Sequence, residues 1–300
     1  MKTSSDPLVS ASRPPPAERG VRAPRWRRLR RDPVTLAGLC AILLIALAAA
    51  LAPWVTPFDP DDTNPEIALQ PPSLSHPLGT DLYGRDQLSR VVAAARIDLL
   101  VPLCATAIAF AIGASVGAVG GYVGGWADQV VMRIVDAVMA FPAFVLAMGI
   151  TAALGNTVAN VVTAIAVTQL PGYLRLVRAE MLRVREMEYA EAARTVGNPT
   201  WRIVFVHLLP NCLPPVIVQA SLAMGFALLT MAALSFIGLG IAPPASEWGA
   251  MTAEGADQMV SGEWWLFLFP GLAIVVTVLA FNLIGDGLRD MLDPRMRGVR

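Results

Sequence analysis

Apolar residues in this chain gather into long runs instead of alternating with polar ones. A helix needs roughly 20 mostly apolar residues to cross about 30 Å of hydrocarbon, where only internal hydrogen bonds satisfy the backbone. Six stretches meet that demand: Val34 to Val55, Leu99 to Gly121, Val130 to Leu154, Thr157 to Leu174, Leu213 to Ile241 and Leu266 to Ile284. The pattern predicts an all-α integral membrane protein with six transmembrane helices. The first run ends in Ala50-Leu51-Ala52, a sequence shaped like a signal-peptide cleavage site. The basic region before it is about 33 residues long and the run itself reaches spanning length, so it reads as a retained span.

The segments between the runs differ from one another. Residues 1–33 are rich in Pro, Ser and Arg without apolar periodicity, which predicts a disordered tail, with Arg25 to Arg31 lying against anionic headgroups or simply solvated. From the end of the first run, Pro53, Pro57, Pro60, Pro65, Pro71, Pro72 and Pro77 forbid regular helix across the outer connection, 56–98. From Asp86 to Asp98 apolar residues fall on one side and Arg90, Arg96 and Asp98 on the other, as in an interfacial helix feeding the second span. The rest divides into a five-helix core over 99–288, which contains the long loop 175–212, and a tail over 289–300.

Composition agrees with the runs: 55% of the residues are hydrophobic, 15% are charged, and the mean hydropathy is +0.56. Soluble chains carry nearer a quarter of charged residues. Net charge is zero, from 23 basic and 23 acidic residues, and a diffuse nucleic-acid-binding surface finds no support. The single lysine, Lys2, follows Met1, so the chain has no phosphate-binding GxxxxGK[ST] loop. Cys40, Cys104, Cys212, His76 and His207 are scattered without metal-ligand or disulfide-framework spacing.

Placement of charge sets the orientation, because basic residues near span ends stay cytoplasmic. Nine basic residues lie in 1–33, six in 175–212 and four in 287–300, with Arg133 at the start of the third run. Only Arg85, Arg90 and Arg96 remain for the other side, where most of the connecting carboxylates lie. Both termini are therefore expected in the cytoplasm.

Inside the runs, Gly113, Gly117 and Gly121 repeat at four-residue spacing and open one helix face to close approach. Pro102, Pro142 and Pro171 each permit a bend. Asp136 stands three residues after Arg133, as an ion pair would require. Asn160, Gln169, Gln219, Ser235 and Asn282 either line a pathway or bond neighbouring helices. No chain of buried carboxylates of the kind that drives proton or sodium carriers is legible, so energy for uphill movement would enter elsewhere.

Loop 175–212 reads RLVRAEMLRVREMEYAEAARTVGNPTWRIVFVHLLPNC. Its first half is amphipathic, with Leu176, Met181, Leu182, Met187, Tyr189 and Ala192 set against Arg178, Arg183, Arg185, Glu186, Glu188 and Glu191. Gly197 offers a left-handed helix end, Asn198 a cap for the next helix, and Pro199 suits its first turn. Ala192 and Ala193 leave room for a partner protein to close on the turn, with Glu191 and Arg194 at its edge. A solvated helix pair fits the local pattern too.

Glu191, Ala192, Ala193, Gly197, Leu209 and Pro210 resemble, at the right spacing, the EAA motif (EAAxxxGx9IxLP) of permease subunits of ATP-binding cassette importers. His207 stands where that motif has isoleucine. The blocks HPLGTDLYGRDQLSR, LSFIGLGIAPPASEWGAM and FNLIGDGLRDMLDPR, with Arg31-Asp32-Pro33 and Phe58-Asp59-Pro60, resemble the C-type permeases of dipeptide, oligopeptide and nickel importers. The resemblance implies a type I importer (MetI-like) core in a bacterial inner membrane. It also implies a second permease subunit, one or two ATPase subunits that use ATP and Mg, and an extracytoplasmic solute-binding protein. This chain itself would bind no cofactor and would not be an enzyme. In that family the loop is the coupling helix that sits in a groove of the ATPase.

Pro243, Pro244, Glu247 and Trp248 are candidates for an outer gate or docking surface, with a simple interfacial anchor as the alternative for the tryptophan. An autonomous secondary transporter and a lipid-modifying enzyme are the rival classes. The first lacks intramembrane carboxylates and the second a nucleophile-base arrangement. Within the family, a nickel or other small-solute importer is the alternative to a peptide importer.

Overall fold

The computed structural model describes residues 32–292, so all but the last two residues of the tail expected over 1–33, and the headgroup contact of Arg25 to Arg31, lie outside the described residues, as does most of 289–300. Among the described residues nine helices carry the architecture: α1 (Pro33–Val55), α2 (Gln87–Val123), α3 (Gly125–Met139), α4 (Ala143–Leu154), α5 (Val158–Val184), α6 (Glu188–Thr195), α7 (Thr200–Phe236), α8 (Trp248–Gln258) and α9 (Trp264–Leu292). Among the described residues there is no strand beyond an isolated bridge between Thr80 and Asp86.

Local chemistry explains most helix starts. Asp32 accepts from the Val34 and Thr35 amides ahead of Pro33, and Thr157 accepts from Asn160 N at the start of α5. Asp86 caps α2 through Ser89 N at 2.8 Å. From that cap α2 continues unbroken for 37 residues. The interfacial helix expected over Asp86 to Asp98 is thus the first part of the second span. Of its polar side, Arg90 and Asp98 face inward, at 3% and 0% exposure, while Arg96 is exposed and donates to the Ala49 and Ala50 carbonyls of α1.

The third run is not one straight span. α3 and α4 meet at 90° across Ala140 to Pro142. Pro142 has no amide to donate and biases Phe141 out of the helical region, which is why the chain turns there. The fourth run continues past Leu174 to Val184, so the first half of the long loop is a direct extension of α5. Its amphipathic helix breaks after Arg185, and α6 starts afresh.

Four described helices are long and apolar enough to cross a membrane, namely α1, α2, α7 and α9, or five spans if the bent α3–α4 pair counts as one. α5, which interrupts its apolar face with Asn160, Gln169 and Arg175, is not among them.

Close packing of small residues holds the bundle. α2 lies along α5 more extensively than any other pair, α9 packs on α7 and α1, and α8 wedges between α7 and α9. A Cβ on Gly117 would stand 2.5 Å from the Leu174 carbonyl oxygen, closer than any side chain tolerates. The glycine stripe therefore serves the α2–α5 approach. Around it the buried core is rich in alanine, with Ala94, Ala105, Ala109, Ala118 and Ala164 all at 0% exposure. Lipid is as apolar as such a core, so van der Waals contact at short range, not apolar burial, favours association.

Candidate functional site

α6 is eight residues long and protrudes from one end of the bundle. Ala190 is its buried side, while Glu191 and Ala192 are exposed and Ala193 is half-buried. Gly197 follows at φ +80°, a conformation that costs other residues roughly 1–2 kcal/mol. Asn198 does not cap the next helix as expected. Its amide Nδ2 donates backward to the Ala193 carbonyl at 3.1 Å, closing the end of α6. The next helix begins behind Pro199 instead. Val196 and Trp201, 81% and 58% exposed, flank the turn with apolar surface.

Two arginines fasten this turn to the bundle. Arg185 Nη1 donates to the Gly121 carbonyl at 2.9 Å. Arg194 donates to the Arg185 carbonyl at 2.9 Å and to the Tyr122 hydroxyl at 3.2 Å. Below them Arg178 holds Asp128 through two hydrogen bonds of 2.7 and 2.6 Å, tying α5 to α3. Asp136 pairs with Arg133 at 3.9 Å as expected, and Arg175 of α5 is its nearer partner.

Leu209 and Pro210 do not sit on the turn. They lie at the end of a π-helical segment, Ile203–Leu208, inside α7. Leu209 N bonds Val204 O, five residues back, and Pro210 has no amide to offer. Asn211 Nδ2 satisfies the His207 carbonyl at 2.7 Å. His207 Nε2 is buried without a partner. Such segments are weak points of a helix and recur at functional sites.

A cavity of about 530 Å³ opens at the bend between α3 and α4, with α5 and α7 as its other walls. Thr168, Gln169, Gln219 and Thr230 are its neutral polar lining, and Phe141 and Tyr173 are aromatic lining. Among the described residues no side chain charged at neutral pH lines it. Gln169 cross-links three helices, accepting from Thr106 Oγ1 at 3.2 Å and donating to the Ala223 carbonyl at 3.0 Å. Of the neutral polar residues singled out from sequence, Gln169 and Gln219 reach this cavity.

At the opposite end, residues 56–86 fold onto α8 and α9. Asp81 binds Arg85 and Arg90, each at 2.6 Å, and Glu254 of α8 approaches the same arginines at 3.6 and 3.1 Å. His76 Nδ1 donates to the Asp86 carboxylate at 2.9 Å, and its ring stacks on Phe58 at 4.8 Å. Glu247 caps α8 by accepting from Gly249 N and Ala250 N, both at 2.8 Å. Burial pushes its carboxyl above the ordinary carboxylate range despite those bonds. Trp248 donates its amide to Asp98 at 3.1 Å and its indole N–H to the Val91 carbonyl at 2.9 Å. Glu247 and Trp248 are thus enclosed, at 0% and 2% exposure, while Pro243 and Pro244 remain at the surface. Any surface role at this corner falls to the prolines.

Neither the Asp128–Arg178 pair nor the Asp81–Arg90–Glu254 cluster is legible as a pairing in the sequence. Asp128 and Arg178 stand 50 residues apart, and Arg90 and Glu254 stand 164 apart, so no local period joins them. An acidic residue bordering an apolar run was the available signal. Among the described residues no group of His, Cys, Asp or Glu is arranged to hold a metal ion.

Residues 109–298 match the family described as binding-protein-dependent transport system inner membrane component, and residues 24–72 match the N-terminal TM domain of oligopeptide transport permease C. The chain is 43% identical over 290 residues to the probable D,D-dipeptide transport system permease protein of Escherichia coli strain K12, covering 97% of each. It is 44% identical over 278 residues to the dipeptide transport system permease protein of the same strain, covering 91% of this chain and 92% of that protein. A di/tripeptide transport system permease protein of Pseudomonas aeruginosa is 42% identical over 280 residues, with 91% and 92% covered. The protruding α6 turn, the apolar spans and these matches agree: the chain is a multi-pass inner-membrane protein and belongs to the family of inner-membrane permease components of binding-protein-dependent transport systems.

Proposed function

We propose that this chain forms half of the translocation pathway of an ATP-binding cassette importer for dipeptides or oligopeptides, the other half coming from a second, different permease subunit. The observation that carries the reading is the end-to-end match to permeases whose printed names specify dipeptide or di/tripeptide transport. In this arrangement the chain crosses the membrane six times, with both termini and α6 in the cytoplasm. One or two separate ATPase subunits consume ATP and Mg, and this chain binds no cofactor. The solute-binding protein docks on the opposite end, near residues 57–98 and 241–265.

Coupling follows from differential fit. Nucleotide shifts the permease only if the α6 turn binds ATP-closed and ATP-open ATPases with different free energies. Glu191, Ala192, Ala193 and Gly197 form the contact, and Arg185 and Arg194 pass its displacement to the end of α2. Leu209 and Pro210 follow the π segment, where α7 yields most easily. Swinging α5 and α7 against the bent α3–α4 pair would open the cavity to one side of the membrane at a time.

The test is uptake of radiolabelled dialanine into proteoliposomes holding both permeases, the ATPases and the binding protein. Accumulation should require ATP and every component. Accumulation with the ATPases omitted would make the chain an autonomous transporter, and uptake of nickel without dialanine would make it a small-solute importer.

A further inference from the structure

An unpartnered polar group at membrane depth is costly, and the cavity wall contains two: the Tyr173 hydroxyl, which is itself buried, and Gln219, which is exposed. Of the two threonines and two glutamines of the lining, three are already engaged within the bundle. Thr168 Oγ1 donates to the Ile165 carbonyl at 2.8 Å and Thr230 Oγ1 to the Phe226 carbonyl at 2.8 Å. Gln169 uses both ends of its amide on Thr106 and Ala223. Gln219 is exposed, lines the cavity and makes no hydrogen bond among the described residues. It stands well inside α7 beside the apolar Ile217, Val218 and Leu222.

The chemistry of the wall narrows what this amide is for. A primary amide offers two donors and an acceptor, which is the complement of a peptide bond's C=O and N–H. The volume of about 530 Å³ lies in the range of small-molecule sites. With no charged side chain in the lining, ionised termini and charged side chains of a solute find no ionic partner on this wall. Apolar and aromatic lining accepts side chains of varied shape. Such a surface reads the backbone and tolerates the residues attached to it.

We infer that Gln219 is the solute-contacting, specificity-determining residue of this half of the pathway, and that it hydrogen-bonds the peptide bond of the passing cargo. The inference rests on the reading of the cavity as the pathway, and the experiment separates the two.

The complete importer in proteoliposomes is used throughout. Gly172→Cys tests the pathway first, because Gly172 lines the cavity and a Cβ there meets nothing within 4 Å. A charged thiol reagent should label it, above the background set by Cys40, Cys104 and Cys212, and dialanine with binding protein should protect it. Absence of labelling would overturn the pathway reading itself. Gln219→Leu and Gln219→Asn are then compared in uptake of dialanine and of its analogue methylated at the peptide nitrogen, each at saturating binding protein. Gln219→Leu should slow dialanine uptake roughly tenfold, about the effect of one hydrogen bond made in transit. It should also abolish the parent's preference for dialanine over the methylated analogue, with Gln219→Asn intermediate. A labelled Gly172→Cys together with an unchanged preference in Gln219→Leu would overturn the inference alone. Loss of the second permease from purified Gln219→Leu would also overturn it, by assigning the amide to the subunit interface.

Discussion

Arg194 lies over the ring of Tyr122, with its guanidinium carbon 5.4 Å from the ring centroid, while its Nε donates to the same residue's hydroxyl. This contact joins the motif-bearing α6 directly to the end of α2, whose other face is packed on α5 through the glycine stripe. On the proposed coupling role, a push on α6 would therefore arrive in the most extensively packed helix pair among the described residues.

Removing the ring should disconnect the two. A cation–π contact at this exposure contributes about 0.5–1 kcal/mol, too little to unfold the chain. Tyr122→Ala is expected to leave insertion and ATP hydrolysis of the complete importer intact while lowering the peptide moved per ATP severalfold. Tyr122→Phe, which keeps the ring, should lose less. Equal coupling ratios in Tyr122→Ala and parent would show that the stroke travels by another route.

Gly197 tests the turn itself. At φ +80° alanine is strained by about 1 kcal/mol, and proline, fixed near −65°, cannot adopt the conformation. Gly197→Ala should weaken ATPase copurification modestly, and Gly197→Pro should abolish it while membrane insertion persists. Since a Cβ there meets nothing within 4 Å, the alanine effect comes from backbone strain and not from a clash, whereas proline also removes the bond from Gly197 N to the Arg194 carbonyl. Normal solute-stimulated hydrolysis with Gly197→Pro would contradict the coupling role.

What the residues revealed in advance follows the range of the interactions involved. The α6 turn was legible because Ala192, Ala193, Gly197 and Pro199 act within a few positions of one another. The glycine stripe was legible because its period is that of one helix. The 90° break at Pro142 was not, since a proline in an apolar run bends, kinks or ends a helix according to what packs beside it. Arg90 and Asp98 read as water-facing because their partners, Asp81, Glu254 and the Trp248 amide, arrive from distant parts of the chain. Asn198 misled for a subtler reason: an asparagine beside a glycine can serve the helix behind it as well as the one ahead. The cavity needed three separate helices and the bend, and only its polar members stood out beforehand.

Glu247 gives the opposite end a pH dependence. Burial raises its carboxyl above the ordinary value near 4.5, so the folded chain holds the proton more tightly than the unfolded one. Its contribution to stability is complete below that ordinary value and is lost as pH rises through the higher, folded value. Asp98, wholly buried and bonded to Trp248 N, adds a second carboxyl to the same enclosure and no cation. Melting of the purified protein in detergent should therefore fall between pH 5 and pH 8, and Glu247→Gln should flatten that slope. A slope as steep in the variant as in the parent would assign the dependence to other groups.

His207 occupies the position at which the EAA pattern carries isoleucine, and its Nε2 is enclosed without a hydrogen-bond partner. An unsatisfied buried nitrogen costs about 1–3 kcal/mol, whereas an apolar side chain of similar bulk at the same place has no such penalty. The neighbouring Ile203, Val204 and Leu208 are buried and already provide an apolar setting. His207→Ile should accordingly raise the melting temperature of the isolated subunit by about 2–4 °C, the shift expected from roughly 1 kcal/mol in a chain of this size. The assembled importer provides the decisive comparison. If the imidazole is idle there as well, the variant complex gains the same few degrees and transports normally. A variant complex that melts lower than the parent, or hydrolyses ATP without moving peptide, would mean that an ATPase or second permease supplies the missing partner to Nε2, and that the π segment of α7 is held by that bond during the cycle.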